Sequence, residues 1–308
     1  MQPFEFHYTV SEHGSTPVAI LSEQLSLSVS EIKSAITKGS LWHKKYNAPK
    51  KSVQRIRRFK KQLTIGDELS FYYNSDVLNQ KVSNAILIED CQDYSVWYKP
   101  YGMLSQGSKW SDHCTINRWV ANYFNNERPC FIVHRLDRAT AGLIIIAHNK
   151  KATKALGEIF EHHHLVKTYQ AICHFDDISQ HSNTFDKSAF TSNSPVNDKS
   201  AISHFVLNKA NETPALALYE ITIETGRKHQ IRQHCASMKL PIVGDRLYGL
   251  ASENSKEVLA NIDLQLCAIK LSFTCPFSEQ IKDYTLANNL QLNWPLIISQ
   301  LSHEVVDK

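Results

Sequence analysis

No stretch of this sequence is apolar for long enough to cross a bilayer. Its longest apolar run covers residues 143–147, whereas a spanning helix needs ~20 such residues. The first ten residues include Glu5 and His7 and lack an apolar segment, so no secretory leader is expected there. Paired cysteines are absent as well. Cys91, Cys114, Cys130, Cys173, Cys235, Cys267 and Cys275 are odd in number and form no Cys-x-x-Cys. This argues against a disulfide frame or a cysteine zinc site, and for reduced thiols in a cytoplasm. The chain also lacks a Gly-x-Gly-x-x-Gly, a P-loop, an internal repeat and a low-complexity tract, so no nucleotide cofactor or repeat array is signalled.

What is present is ordinary in bulk. A hydrophobic fraction of 42% and a charged fraction of 21% are those of a globular chain, and a net charge of +4 names no partner by itself. With 308 residues, one large domain and one small one are expected.

Charge is unevenly spread. Acids are missing from residues 32–66, and residues 44–61 hold nine cations in eighteen positions: Lys44, Lys45, Lys50, Lys51, Arg55, Arg57, Arg58, Lys60 and Lys61. Val53, Ile56 and Phe59 interleave with them, so a folded basic surface is expected here and not a disordered tail. A solvated charged face is the plain reading, but so much unrelieved like charge favours a phosphate backbone as partner. Just before it, Ser28-x-x-Glu31 has the form of a capping box, Ile32, Ala35 and Ile36 follow at helical spacing, and Gly39 sits where the helix should stop. Residues 69–73 read as a strand, and the polar residues 74–83 as a linker.

The densest chemistry lies in residues 131–150. Two apolar runs, 131–133 and 143–147, read as buried strands. Between them come His134, Arg135, Asp137 and Arg138, then Gly142. A carboxylate among arginines stays ionised, a poor general acid but a competent nucleophile or charge stabiliser. The residues alone leave open a second reading, in which Asp137 merely pairs with Arg135 or Arg138 to fix the loop.

Elsewhere, residues 85–88 and 94–98 read as a hairpin. Ile116, Trp119, Val120 and Tyr123 recur at helical spacing, as do Ala152, Ala155, Leu156, Ile159 and Phe160. His162, His163 and His164 invite a metal, but adjacent residues do not converge on one helical face. Residues 176–199, rich in Ser, Asn and Asp, read as a mobile insertion, and residues 215–223 alternate as a strand.

Six spaced segments then carry a resemblance. His134-Arg135-Leu136-Asp137-Arg138-Ala139-Thr140-Ala141-Gly142 resembles the H-R-L-D-x-x-T-S-G signature of the RluA/RluD-type pseudouridine synthases, with Ala141 where serine is usual. Lys99-Pro100-Tyr101-Gly102 is similar to the family's K-P-x-G loop, and Lys167-Thr168-Tyr169 to its K-x-Y strand. The ten residues from Thr225 through His234 resemble T-G-R-x-H-Q-I-R-x-H without departure, and Pro241 through Gly249 the P-I-x-G-D-x-x-Y-G loop. Residues 264–276 are similar to the closing strand, with Cys267 and Cys275 where histidine is usual.

The resemblance spans about residues 84–287. It implies an α+β fold, a mixed and mostly antiparallel central sheet with flanking helices and a catalytic cleft. The N-terminal part resembles, in diverged form, the small α/β RNA-binding domain of ribosomal proteins. The implied organisation is residues 1–76 for that domain, 77–83 for the linker, 84–290 for the catalytic domain and 291–308 for a tail. The implied activity is isomerisation of a uridine in rRNA or tRNA to pseudouridine, with no cofactor and no metal. Asp137 is then the catalytic residue and Arg227 its ion-pair partner. Tyr169 stacks on the base, and Arg135 fills the flipped base's place or grips phosphate, with His134 in support. Arg232 and the nine cations of residues 44–61 face RNA. A cytoplasmic monomer bound to RNA and not to membrane is expected. The rivals are an RNA-binding protein that keeps the fold without the chemistry, a metal-dependent nuclease built on the three histidines, and a glycosidase, which needs a second carboxylate.

Overall fold

A computed structural model describes residues 2–49, 52–175, 189–249 and 262–302. The chain divides into two compact units, Met1–Val82 with Gln106–Asn122, and Ser83–Ser105 with Tyr123–Lys308.

In the first unit, β1 (Phe4–Thr9), α1 (Pro17–Gln24), α2 (Val29–Thr37), β2 (Leu41–Lys44), β3 (Gln54–Arg55), β4 (Glu68–Tyr73) and α3 (Ser75–Leu78) follow in order, and most of α4 (Ile116–Tyr123) belongs to it. The strands form an antiparallel sheet in the order β1-β4-β2-β3. The expected capping box closes α2. Ser28 N donates to Glu31 Oε2 at 2.8 Å and Glu31 N to Ser28 Oγ at 3.2 Å, which satisfies two amides the first helical turn would otherwise leave unpaired. Ile32, Ala35 and Ile36 then bury against Leu41, Leu69 and Phe71 of the sheet. Gly39, at φ +91°, takes the left-handed turn that ends α2.

The second unit holds β5 (Ile86–Asp90), β6 (Tyr94–Lys99), β7 (Phe131–Ile132), β8 (Ala141–Ala147), α5 (Lys150–Glu161), β9 (Leu165–His174), β10 (Ala189–Ser192), β11 (Ser203–Asn211), β12 (Leu216–Ile223), α6 (Gln230–Ser237), β13 (Leu266–Thr274), β14 (Ile281–Thr285) and α7 (Trp294–Ser302). Its sheet runs β10-β11-β12-β9-β13-β8-β6-β5, with β14 on β13 and β7 on β8. Only the β8–β13 pairing is parallel among the described residues. β8 is apolar throughout because both of its faces are covered, Leu143 through Ala147 being at most 2% exposed. Ala152 and Leu156 bring α5 onto this core. The fold is thus α+β with a mostly antiparallel sheet and flanking helices, as the motifs implied.

Two sequence readings are corrected. Residues 176–188 lie outside the described residues, but the expected mobile insertion ends in order: Ala189–Ser192 is an edge strand paired residue for residue with β11. Residues 291–308, read as a tail, contain α7, whose Trp294, Ile297 and Leu301 pack on Ile172, Leu216 and Val243. Three apolar side chains on one helical face were too short a pattern to announce it.

Candidate active site

The loop between β7 and β8 is held by its backbone. His134 Nε2 accepts from Ile145 N at 3.0 Å, and its ring stacks on Phe160 at 4.1 Å. Burial, with the nearby Lys167 cation, pushes its pKa down to about 3, so it is a neutral acceptor. Two residues on, Ser105 ties off both sides of Leu136. Its Oγ accepts from Leu136 N at 3.0 Å and donates to Leu136 O at 2.7 Å. Gly102 N donates to Arg138 O at 2.9 Å, and Thr140 N to Asp137 O at 3.1 Å. The loop ends at Gly142, φ +119°, where a Cβ would fall on the Ala268 carbonyl oxygen and 2.5 Å from its nitrogen. Only glycine permits β8 to approach β13 so closely.

With the loop pinned this way, the Asp137 carboxylate is free of structural duty. It forms no ion pair with Arg135 or Arg138 among the described residues, and both arginines are exposed. The reading of Asp137 as a mere loop-fixing ion pair therefore fails. Its side chain is 30% exposed, and His229 Nε2 lies 3.8 Å from its Oδ1.

Three further groups surround the carboxylate. Tyr169 on β9 is 8% exposed, and burial together with the Asp137 charge raises its phenol pKa. Lys99, at the end of β6, is completely buried, its amine donating to Met103 O at 2.8 Å and Pro100 O at 3.2 Å. Burial pulls the Lys99 pKa down to about 7, against an opposing pull from the Asp137 anion. His229, in the left-handed region at φ 57°, precedes α6 and shares a 3.1 Å hydrogen bond between Nδ1 and Tyr248 Oη. Tyr248 is fixed in turn by Asp245. That carboxylate accepts from Leu247 N and Tyr248 N at 2.9 and 3.0 Å, and receives the Arg232 guanidinium bidentately at 2.7 and 2.6 Å. The pair is buried, with side chains 6% and 1% exposed, and the Arg232 bonds hold the Asp245 pKa below its ordinary value against burial.

The expected site residues are therefore only partly gathered. Asp137 stands near enough to Tyr169 for its charge to act on the phenol, and Arg135 is exposed on the Asp137 loop. Arg227, expected to pair with Asp137, instead donates from Nε to Ser200 O at 2.9 Å. The side chain next to the carboxylate is that of His229, two positions on. His134, expected at the substrate, is turned into the protein. Arg232, expected at RNA, is instead buried on Asp245, with its Nε–Nη2 edge on that carboxylate and its guanidinium 5.1 Å from the Tyr248 ring centre. Lys99, His229, Tyr248 and Asp245 were not singled out from the sequence. All four stand inside the quoted motifs, the only signal that announced them.

In the first unit the basic segment is partly neutralised from a distance. Arg55 and Arg57 both converge on Asp112, and Lys44 reaches Glu68 at 2.6 Å. Lys61 Nζ lies 3.1 Å from His43 Nδ1. Lys45, Arg58 and Lys60 are exposed without an acidic partner among the described residues. Lys50 and Lys51 lie outside the described residues. No described helix is long and apolar enough to cross a membrane.

The chain is similar to known proteins over much of its length. Residues 93–237 match the RNA pseudouridylate synthase family. The tRNA pseudouridine synthase C of Salmonella typhi is 30% identical over 188 residues, 55% of this chain and 72% of that protein. An uncharacterized RNA pseudouridine synthase of Mycoplasma genitalium is 30% identical over 200 residues, 62% of this chain; the chain spans 64% of that relative's length. Among solved structures, human RNA pseudouridylate synthase domain containing 1 aligns with a TM-score of 0.54 at 19% identity, over 72% of this chain and 97% of that one. This last likeness is one of fold.

Proposed function

Because the chain belongs to the RluA-type family of RNA pseudouridylate synthases, we propose that it isomerises a uridine of structured RNA, rRNA or tRNA, to pseudouridine. The observation that carries this reading is the Asp137 carboxylate, pinned by its backbone, unpaired with either flanking arginine, and set among Tyr169, Lys99 and His229.

The reaction breaks the bond between ribose C1′ and uracil N1 and forms one between C1′ and C5. The C5 proton is lost and N1 gains one, so the product is an isomer and no electrons change hands. The target uridine must first leave its stack, at a cost of a few kcal/mol that contacts in the pocket offset. Asp137 supplies the essential carboxylate, at the sugar or at the base. Tyr169 offers a ring on which the base stacks; its raised pKa keeps it a neutral phenol, so it is no base at neutral pH. His229 orients the carboxylate from one side, and Lys99 lies buried beside it. Arg135 is exposed on the same loop, where it can fill the space the flipped base vacates. The unpaired cations Lys45, Arg58 and Lys60 add affinity that is salt-dependent and largely indifferent to sequence.

Mapping pseudouridines in rRNA and tRNA from cells with and without the gene tests the proposal, with Asp137→Asn returned to the deleted strain. The expected result is one or more sites lost on deletion, restored by the native chain and not by Asp137→Asn. Restoration by Asp137→Asn would refute the catalytic assignment. An unchanged map would favour an RNA-binding protein without the chemistry.

A further inference from the structure

Lys167, on β9, is a cation without a counter-ion. Its side chain is half-buried, and burial alone pulls its pKa down, with no acid near enough to oppose it. Among the described residues no hydrogen bond or ion pair engages its amine. A charge taken partly out of water without a partner costs free energy until one arrives.

The surroundings say what kind of partner fits. Lys167 stands opposite Ile223 in the β9–β12 register, so the chain leaving β12 turns directly past it. The amine lies against Gly226, where a Cβ would sit 3.4 Å from Nζ. Arg227 comes next. With Nε engaged by Ser200 O, its terminal nitrogens have no acid among the described residues. The one acid in the turn, Glu224, is held by His204 Nε2 at 2.7 Å. Two cations from two parts of the chain thus flank this turn without an acid partner among the described residues, beside a glycine that leaves the backbone open.

We propose that Lys167 and Arg227 form a phosphate-binding site that grips the RNA backbone beside the target uridine. The inference rests on the proposed function. Tyr169 stands two residues further along β9, on the same face and ~7 Å away along the strand. A phosphate held at Lys167 therefore sits about one nucleotide's reach from a base stacked on Tyr169. Such a contact positions the strand and does not read its sequence.

The test measures binding, separate from turnover. A fluorescein-labelled oligouridylate is titrated at several salt concentrations into the Asp137→Asn chain, alone and with Lys167→Met, Lys167→Arg or Arg227→Gln added. Lys167→Met is expected to weaken binding and to lower the slope of log affinity against log salt by about 0.7, the loss of one single-strand phosphate contact. Lys167→Arg should restore the slope, and Arg227→Gln should lower it as Lys167→Met does, which covers the case that the methionine variant fails to fold. Unchanged slopes in Lys167→Met and Arg227→Gln would overturn the phosphate site. Because Asp137→Asn needs no turnover to bind, a lowered slope with no RNA isomerised by the native chain would sink the proposed function and leave this site standing.

Discussion

Replacing Lys99 by methionine isolates the electrostatics beneath Asp137. The amine is completely buried and its pKa is lowered to about 7 by burial, whereas an unfolded lysine titrates near ~10.4. Between those values the unfolded chain binds a proton at Lys99 and the folded chain does not. Stability therefore rises with pH across this window, by up to about 1.4 kcal/mol per pH unit. Integrated from roughly pH 7 to 9, the gain is about 2 kcal/mol, reduced from the full slope because half of the folded amines are already neutral at the start. Methionine has a similar length and no charge, so Lys99→Met removes this pH-dependent part. It also leaves the Met103 and Pro100 carbonyls without their donor, at a cost of about 1–3 kcal/mol each, and that cost is independent of pH. The measurement is urea unfolding of both chains at the two pH values. The native chain should gain about 2 kcal/mol on Lys99→Met between them, the other titrating groups cancelling in the difference. Parallel pH profiles would show that Lys99 titrates normally, and the account of a buried amine poised beside Asp137 would be wrong.

Two other changes follow from the site. Gly142→Ala places a methyl on the Ala268 backbone at a positive φ; the expected destabilisation is about 1–3 kcal/mol, with a larger loss of activity because the Asp137 loop must move, and unfolding and turnover measured together check both. Asp245→Asn leaves the Arg232 cation buried without its counter-ion, so chemical denaturation should show a loss of about 3–5 kcal/mol; a loss below about 1 kcal/mol would mean that the pair is not the anchor described.

Much of this protein was legible locally. The Ser28–Glu31 capping box and the apolar face of α2 involve residues a few positions apart, so their chemistry closes on itself within one or two turns. The continuous apolar run of β8 announced a strand covered on both sides. The order of the motifs announced the family and brought Asp137 and Tyr169 forward as candidates. What the sequence could not say is which side chains meet. Lys99, Asp137, Tyr169 and His229 come together because the sheet sets β6, β8, β13 and β9 side by side, and strand order is a long-range property that no local pattern carries. Within Thr225-Gly226-Arg227-Lys228-His229, the family resemblance implied Arg227 as partner of the carboxylate. The left-handed turn at His229 decided otherwise, directing that ring toward Asp137 while Arg227 reached Ser200. Asp112 likewise lies 55 positions from Arg57 and still neutralises it. The amino-acid order thus determined the elements, their faces and the chemistry available, because these depend on neighbours within a turn or a strand. Only the tertiary structure decided which charges are paired, buried or left open to a phosphate, because those outcomes depend on register and packing between segments far apart in the chain.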